Sequence, residues 1–415
     1  MMKKIAPYIF PAVCAGMVLS MALVYIAGLL KFNYTDWPSD HLPQLDSIRF
    51  NNLYNEFSNP NFDYKTFLKG WFFGADLDSI RRQDILEWGA CIFYNTTMHD
   101  MDVEQTEKIQ LLMDLLEERM QRRLQDRAPT EISLPKIMLT TDKPKIYTRP
   151  MVYYAGIRFA DIAGQLAFRN LGFKKTKVGN HGLEMFCRQP NFFSKELPIV
   201  IFHGLGIGVC TYVPFVAGLI KEFPNRTIIL FEVKAVSMRL DDRHYLPTQF
   251  VADVSYGLEK AFVDKAVFVG HSIGTCCLRW MDMYAPKYIH SRIFIDPVCF
   301  LLWNHHIAYN ALYRHPKTAN QAIIKYIAMC EPGIAIFLHR YFSWFQNTYF
   351  TNELPKDCVI FLAMDDDIVD SHDVLTYLKE HNDERRQVFA IDNMLHGQLV
   401  FHRKMKLVFD AVRSF

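Results

Sequence analysis

AVFVGHSIGTC, residues 266–276, is the stretch on which the reading of the fold turns. The run before Gly270 is short, apolar and rich in β-formers, as a buried strand requires, and from Thr275 to Tyr284 the pattern becomes helical. A strand that turns at once into a helix needs residues without bulk beside the turning residue, and Gly270 and Gly274 supply them. Ser272 is then held at the strand's tip, in a strained conformation with its hydroxyl projecting forward. That is the geometry of a nucleophile elbow.

Working outward, short β-rich runs alternate with helix-like segments from about residue 180 onward. The runs are LEMFC (183–187), PIVIFHG (198–204), RTIILFEV (226–233), KAVFVG (265–270), SRIFID (291–296), CVIFLAM (358–364) and RQVFAI (386–391). Between them lie helical candidates at 212–223, 250–263, 272–285 and 371–381. Such alternation predicts an α/β fold, a mostly parallel, doubly wound sheet with ligands at the carboxyl ends of its strands. The gap between Asp296 and Cys358 is too long for a simple crossover and includes HRYFSWFQNTYF at 339–350, so an inserted lid is expected at about 299–356. Its aromatics line an acyl-chain site, touch the bilayer, or form the lid's own core.

A serine hydroxyl becomes a nucleophile only when a base takes its proton and an acid orients that base. After the strand CVIFL comes AMDDDIV (363–369), and after RQVFAI comes MLHGQ (394–398), which gives the chain order Ser, Asp, His expected for this elbow. Upstream, HGLGIG (203–208) follows another apolar strand.

With these pieces together, the segment 176–415 resembles the α/β-hydrolase superfamily in its lipase and esterase branch. The resemblance makes Ser272 the nucleophile and His396 the base. Its acid-loop pattern lands on Asp366, with Asp365, Asp367 and Asp296 as the alternatives. It also makes the backbone N–H groups of Leu205 and Ile273 the oxyanion donors, with Gly204, Gly270 and Gly274 allowing the close approach. His271 reads as structural. The chain departs from the family pattern after the elbow, where Thr275, Cys276 and Cys277 stand in place of a further small residue. The activity implied is hydrolysis of a carboxylic ester, with no cofactor and no metal.

The rest of the chain bounds that expectation. With 415 residues, 50% of them apolar, a large core is available. A net charge of +2 offers no footprint for nucleic acid, and nine scattered cysteines make no zinc-like spacing. Between Lys4 and Lys31 no residue is charged, so residues 1–32 are expected to form a single-pass membrane anchor rather than the alternative, a cleaved secretory signal; the lysine balance tilts the N-terminus to the cytosolic side, while the unpaired cysteines point the other way. Asn95 and Asn225 are sequons that would be glycosylated in that topology. Residues 33–175 read as a helical accessory region. One helix there is capped by Asp100 or Asp102 and buries Ile109, Leu112, Leu116, Met120 and Leu124. Another runs from about Met151 to Leu171 with Phe159, Ile162 and Leu166 on one face.

The anchor and the aromatic lid point to lipid esters and a membrane as partners. The rival functions are acyl transfer on the same triad and a non-catalytic binding or scaffolding protein that keeps the fold. His41 and Asp46 match a two-residue acyltransferase spacing that a chain with fifteen histidines meets by chance.

Overall fold

All seven expected β-rich runs contribute strands to one sheet, joined by an eighth strand from a segment that does not look like one. The computed structural model describes Ile26 and residues 43–190, 194–239 and 244–415. The strands are β1 (Lys174–Val178), β2 (Leu183–Arg188), β3 (Ile199–Phe202), β4 (Ile228–Glu232), β5 (Ala266–His271), β6 (Ile289–Ile295), β7 (Cys358–Ala363) and β8 (Arg386–Ile391). Their order across the sheet is β1-β2-β4-β3-β5-β6-β7-β8. The pairs β1/β2 and β2/β4 are antiparallel and every other neighbouring pair is parallel, so the sheet is mixed.

Successive residues of the central strands feed two cores, because side chains alternate across a sheet. In β5, Val267 and Val269 point to one side with Ile199, Ile201, Leu230 and Phe361, while Ala266 and Phe268 point to the other with Val200, Phe202 and Ile360. The first side is covered by the helices Met151–Asn170, Val213–Glu222 and Lys406–Arg413 through Phe168, Phe215, Leu219, Phe409 and Val412. The second is covered by Pro247–Lys260 and Gly274–Tyr284, and its core runs on into the N-terminal helices and the insertion after β6.

The region before the sheet is helical: α1 (Ser47–Ser58), α2 (Tyr64–Trp71), α3 (Arg82–Tyr94), α4 (Val103–Met120) and α5 (Met151–Asn170). Asp102, not Asp100, caps α4, by accepting from the Gln105 N–H at 2.8 Å while the Gln105 side chain accepts from the Asp102 N–H. The helix stops at Met120 because Gln121 turns left-handed (φ +53°), which leaves Leu124 buried but beyond the helix. Helix α5 spans Met151–Asn170, close to the expected bounds. Phe159, Ile162 and Leu166 do share a face, but that face is exposed, and the helix packs through Ile157, Asp161, Gly164 and Phe168. A side chain on Gly164 would collide with Cys210, so the close approach of α5 to the loop after β3 depends on that glycine. Asn95 uses its side-chain amide on the Pro43 carbonyl at 3.2 Å, whereas Asn225 is exposed.

Between β6 and β7 the chain forms a series of short broken helices, three of which contain wide five-residue turns at Tyr309–Tyr313, Ile324–Met329 and Phe337–Tyr341. Side chain to backbone-carbonyl bonds tie the N-terminal region and this insertion together. Trp344 donates from its indole to the Ile92 carbonyl (2.9 Å), Trp71 to that of Trp303 (3.2 Å), and Arg340 to those of Thr140 and Asp142 (2.6 and 3.0 Å). The expected anchor at 1–32 lies, apart from Ile26, outside the described residues. Among the described residues no single helix is long and apolar enough to cross a membrane.

Candidate active site

β5 ends at His271 and α6, the helix Gly274–Tyr284, begins three residues later, so the turn between them is as sharp as the sequence required. Ser272 sits in it with φ +52°, a conformation costly for any residue with a side chain and held here by the Ser272 N–H to Ile295 carbonyl bond (2.9 Å). The glycine at 274 is obligatory: a Cβ there would stand 2.3 Å from the Phe202 carbonyl oxygen. At Gly270 a Cβ would press on the backbone of Gly274 and Thr275 at 3.0 Å. Thr275, the departure from the family pattern, is fully buried. Its hydroxyl donates to the Ser272 carbonyl (2.6 Å) and accepts from the Val298 N–H (3.2 Å), which ties the elbow to the start of the insertion.

The carboxyl ends of β7 and β8 bring Asp366 and His396 to the same place. Ser272 Oγ lies 2.7 Å from His396 Nε2, and His396 Nδ1 lies 2.6 Å from Asp366 Oδ2. The other oxygen of Asp366 accepts the N–H groups of Ile368 (2.7 Å) and Val369 (2.9 Å), which fixes the carboxylate's orientation. The neighbouring acids go elsewhere. Asp365 is exposed, and Asp367 takes the side-chain amides of Asn320 and Gln321 in the insertion, both at 2.7 Å. Burial pulls the His396 pKa down, but the charge and hydrogen bond of Asp366, with Asp296 and Asp367 behind it, outweigh that and raise it to about 9. An imidazole so placed takes a proton readily and shares its positive charge with a buried carboxylate.

Leu205 and Ile273 flank the serine on the loop after β3 and at the start of α6, and both line the cavity in front of it. Among the described residues neither N–H group has an acceptor. Two free backbone donors beside a nucleophile are what a developing oxyanion needs. His203 shapes the loop: its Nε2 accepts the Val233 N–H (2.9 Å), which leaves Nδ1–H to donate to the Gly204 carbonyl (2.7 Å). Burial lowers its pKa to about 4, so it stays neutral. A Cβ on Gly204 would approach His271 Nδ1 to 2.7 Å and Ser272 Cβ to 3.1 Å.

Sequence reasoning missed a second set of polar groups beneath the first. The Gly204 N–H donates to the Tyr212 hydroxyl (2.7 Å), which in turn hydrogen-bonds His271 Nδ1. The opposite nitrogen of His271 faces Asp296 Oδ2 at 3.9 Å, and that same oxygen accepts the Gly397 N–H at 2.8 Å. Asp296 Oδ1 accepts the Ala363 N–H (3.2 Å). Asp296, an alternative acid in the sequence reading, is therefore a buried tie between the end of β7 and the histidine loop. Burial raises its pKa to about 6. His271 is held neutral by burial, its pKa down at about 3. Tyr212 carried no signal in the sequence, since nothing there links it to residues 204, 271 and 296.

In front of Ser272 and His396 opens a cavity of about 430 Å³. Its walls are mainly hydrocarbon, with Leu302, Ile324 and Leu338 from the insertion, Leu139 from the N-terminal region, and Ile207 and Phe401 from the sheet loops. Of the aromatic stretch 339–350, Phe342 and Trp344 reach the cavity, whereas Phe345, Tyr349 and Phe350 pack into the core.

No protein-family model matches the chain, and no curated protein matches it. Solved structures similar in backbone course include the carboxylesterase CesB (YbfK) from Bacillus subtilis, at 10% identity over 64% of this chain and 98% of that one, with a TM-score of 0.45. The naproxen esterase from Bacillus subtilis is similar at 12% identity over 62% and 98%, with a TM-score of 0.44. A membrane phospholipase A described as a bacterial virulence factor is similar at 14% identity over 64% and 94%, with a TM-score of 0.44. Likeness at this level carries no argument about activity, which rests on the residues of this chain.

Proposed function

We propose that this protein is a serine hydrolase that cleaves carboxylic esters with long apolar groups, lipid esters above all. The observation that carries the reading is the line from Ser272 Oγ through His396 to Asp366, with hydrogen bonds of 2.7 and 2.6 Å, opening into a hydrocarbon-walled cavity. As Ser272 Oγ bonds to the ester carbonyl carbon, its proton passes to His396 Nε2, and Asp366 holds the imidazolium that forms. The carbonyl oxygen becomes an oxyanion against the Leu205 and Ile273 N–H groups, a contribution of about 3 kcal/mol for each donor. The tetrahedral intermediate collapses, and the leaving alcohol takes the proton from His396. Water, deprotonated by the same imidazole, then attacks the acyl-enzyme and releases the acid and the free serine.

An apolar cavity suits an acyl chain and offers little to a charged or sugar-like group. The uncharged stretch between Lys4 and Lys31 supports a membrane anchor that keeps the site near bilayer substrates.

The test is labelling of the full-length protein with a fluorophosphonate probe, followed by assay on dispersed glycerolipid esters and on short soluble esters. Labelling of the wild type that vanishes in Ser272→Ala and His396→Ala is expected, with turnover of the glycerolipid. Cleavage of short esters alone would remove the lipid part of the reading. A folded wild type that takes no label and cleaves neither would favour a binding or scaffolding role. Transfer of the acyl group to an added alcohol in preference to water would make it an acyltransferase.

A further inference from the structure

Helix α5 is amphipathic in the wrong sense for a helix packed on a protein core. At 100° per residue, Val152, Ala155, Phe159, Ile162, Ala163 and Leu166 fall within about 120° of arc, a stripe about 21 Å long. Phe159 is 75% exposed, Val152 73% and Leu166 55%. The buried side, by contrast, carries Asp161, which accepts from Arg158 (2.7 Å), Gln165 (2.9 Å) and Arg239 (2.8 Å). Scattered apolar residues on a surface need no explanation, but a continuous stripe of large ones does.

We infer that the outward stripe of α5, with the cations beside it, is a docking face for an anionic lipid bilayer. This rests on the lipid-ester reading above for its purpose, not for its evidence. Charge selects the occupant. From Lys143 to Leu183 the only acidic residue is Asp161, which is 1% exposed, whereas Arg158, Arg169, Lys174 and Lys177 are exposed. An apolar stripe flanked by cations suits acyl chains under anionic headgroups. The chain's own apolar segment at 5–30 would bring Lys3, Lys4 and Lys31 with it and no acid, so it does not complement these cations. A second copy pairing through the same face would set the two basic flanks against each other.

Two contacts connect α5 to the walls of the site. The Tyr153 hydroxyl near the start of α5 donates to the Ile327 carbonyl at 3.2 Å, on the insertion helix whose Ile323 and Ile327 are exposed and line the cavity. Further along, Gly164 packs on Cys210, beside Thr211 and Tyr212 of the cavity wall. Both contacts leave from the side of α5 opposite the stripe, so the helix ties the docking face to the walls of the site from behind.

The experiment uses full-length protein with vesicles of phosphatidylcholine, with or without phosphatidylserine, doped with a phospholipid whose acyl chain carries a photoactivatable group. Adducts are mapped by mass spectrometry. Adducts on the peptide spanning residues 152–166, more abundant with phosphatidylserine, are the expected result. Arg169→Glu and Lys174→Glu should each lower them by about fivefold. The double variant Phe159→Asp/Leu166→Asp should lose them while keeping turnover of a soluble short ester. Adducts that form elsewhere but never on α5 would overturn the proposal. So would cross-linking of α5 to residues 5–30, or a dimer that Phe159→Asp converts to monomer. Ser272→Ala should give the same adducts as the wild type, so failure of the hydrolase reading and failure of the docking face are read separately.

Discussion

The floor and the roof of the cavity are built by different means. The floor is a set of loop tips at the carboxyl ends of β3, β5, β6, β7 and β8, joined by short hydrogen bonds between groups with fixed chemistry: Ser272 to His396, His396 to Asp366, Asp296 to Gly397 and Gly204 to Tyr212. The roof is the insertion, made of broken helices with wide turns, walled with aliphatic side chains and pinned from outside where its own side chains bond the N-terminal region's backbone. In the floor, moving one atom breaks a bond. In the roof, many weak contacts share the load, and one substitution changes shape more than chemistry.

That contrast sets the order of expected effects. The largest belong to the floor: Ser272→Ala or His396→Ala should cut turnover of a soluble ester by a factor on the order of 10⁶. Asp366→Asn should cost about 10⁴, with Asp365→Asn close to wild type, measured as kcat on the same ester. Equal losses at 365 and 366 would mean that the acid had been misassigned.

The next effect is in pH. His396 accepts the serine proton only when neutral, and its pKa is raised to about 9, so the acylation rate should climb with pH and level off above that value. Asp366→Asn should move the midpoint downward, because it removes the charge that raises it. A rate flat from pH 6 to 9 in the wild type would show that the imidazole is not the group that titrates.

Smaller losses are expected one layer down. Tyr212→Phe leaves the Gly204 N–H without its acceptor, at a cost of about 1–3 kcal/mol, and should lower kcat more than it raises KM because it loosens the oxyanion loop. Asp296→Asn should act similarly through Gly397, while Asp366 keeps its role. The smallest effect on chemistry is in the roof. Arg340→Ala removes bonds to the Thr140 and Asp142 carbonyls and should lower Tm by a few degrees, at about 1–2 kcal/mol. It should raise KM for long-chain esters while leaving short ones unchanged. If it abolished turnover of both, the distinction between floor and roof would fail.

The same contrast explains what could be read from the sequence. The floor was legible because each reactive group follows a recognisable strand at a short, fixed distance, as Ser272 follows AVFVGH and His396 follows RQVFAI. The register among Asp365, Asp366 and Asp367 was not fixed by spacing, since three adjacent acids differ only in where the loop points them. Tyr212 and Leu139 were invisible because Tyr212 reaches His271, 59 residues on, and Leu139 meets the insertion, contacts that no local pattern announces. Strand β1, KKTKV, has four of five residues exposed, so neither alternation nor apolarity announces it. For α5 the periodicity was right but silent on burial: apolar spacing reports which residues align, not whether protein lies on that side.

β1 has one further consequence. It is an edge strand, with unpaired backbone groups along its outer side, the kind of border to which another molecule could add a strand. Lys174, Lys175 and Lys177 stand along that border, and a copy aligned there would meet lysine with lysine. The molecule is thus guarded against growing its sheet into a neighbour's. That guard matters most where copies crowd together, as on a surface that confines them to two dimensions.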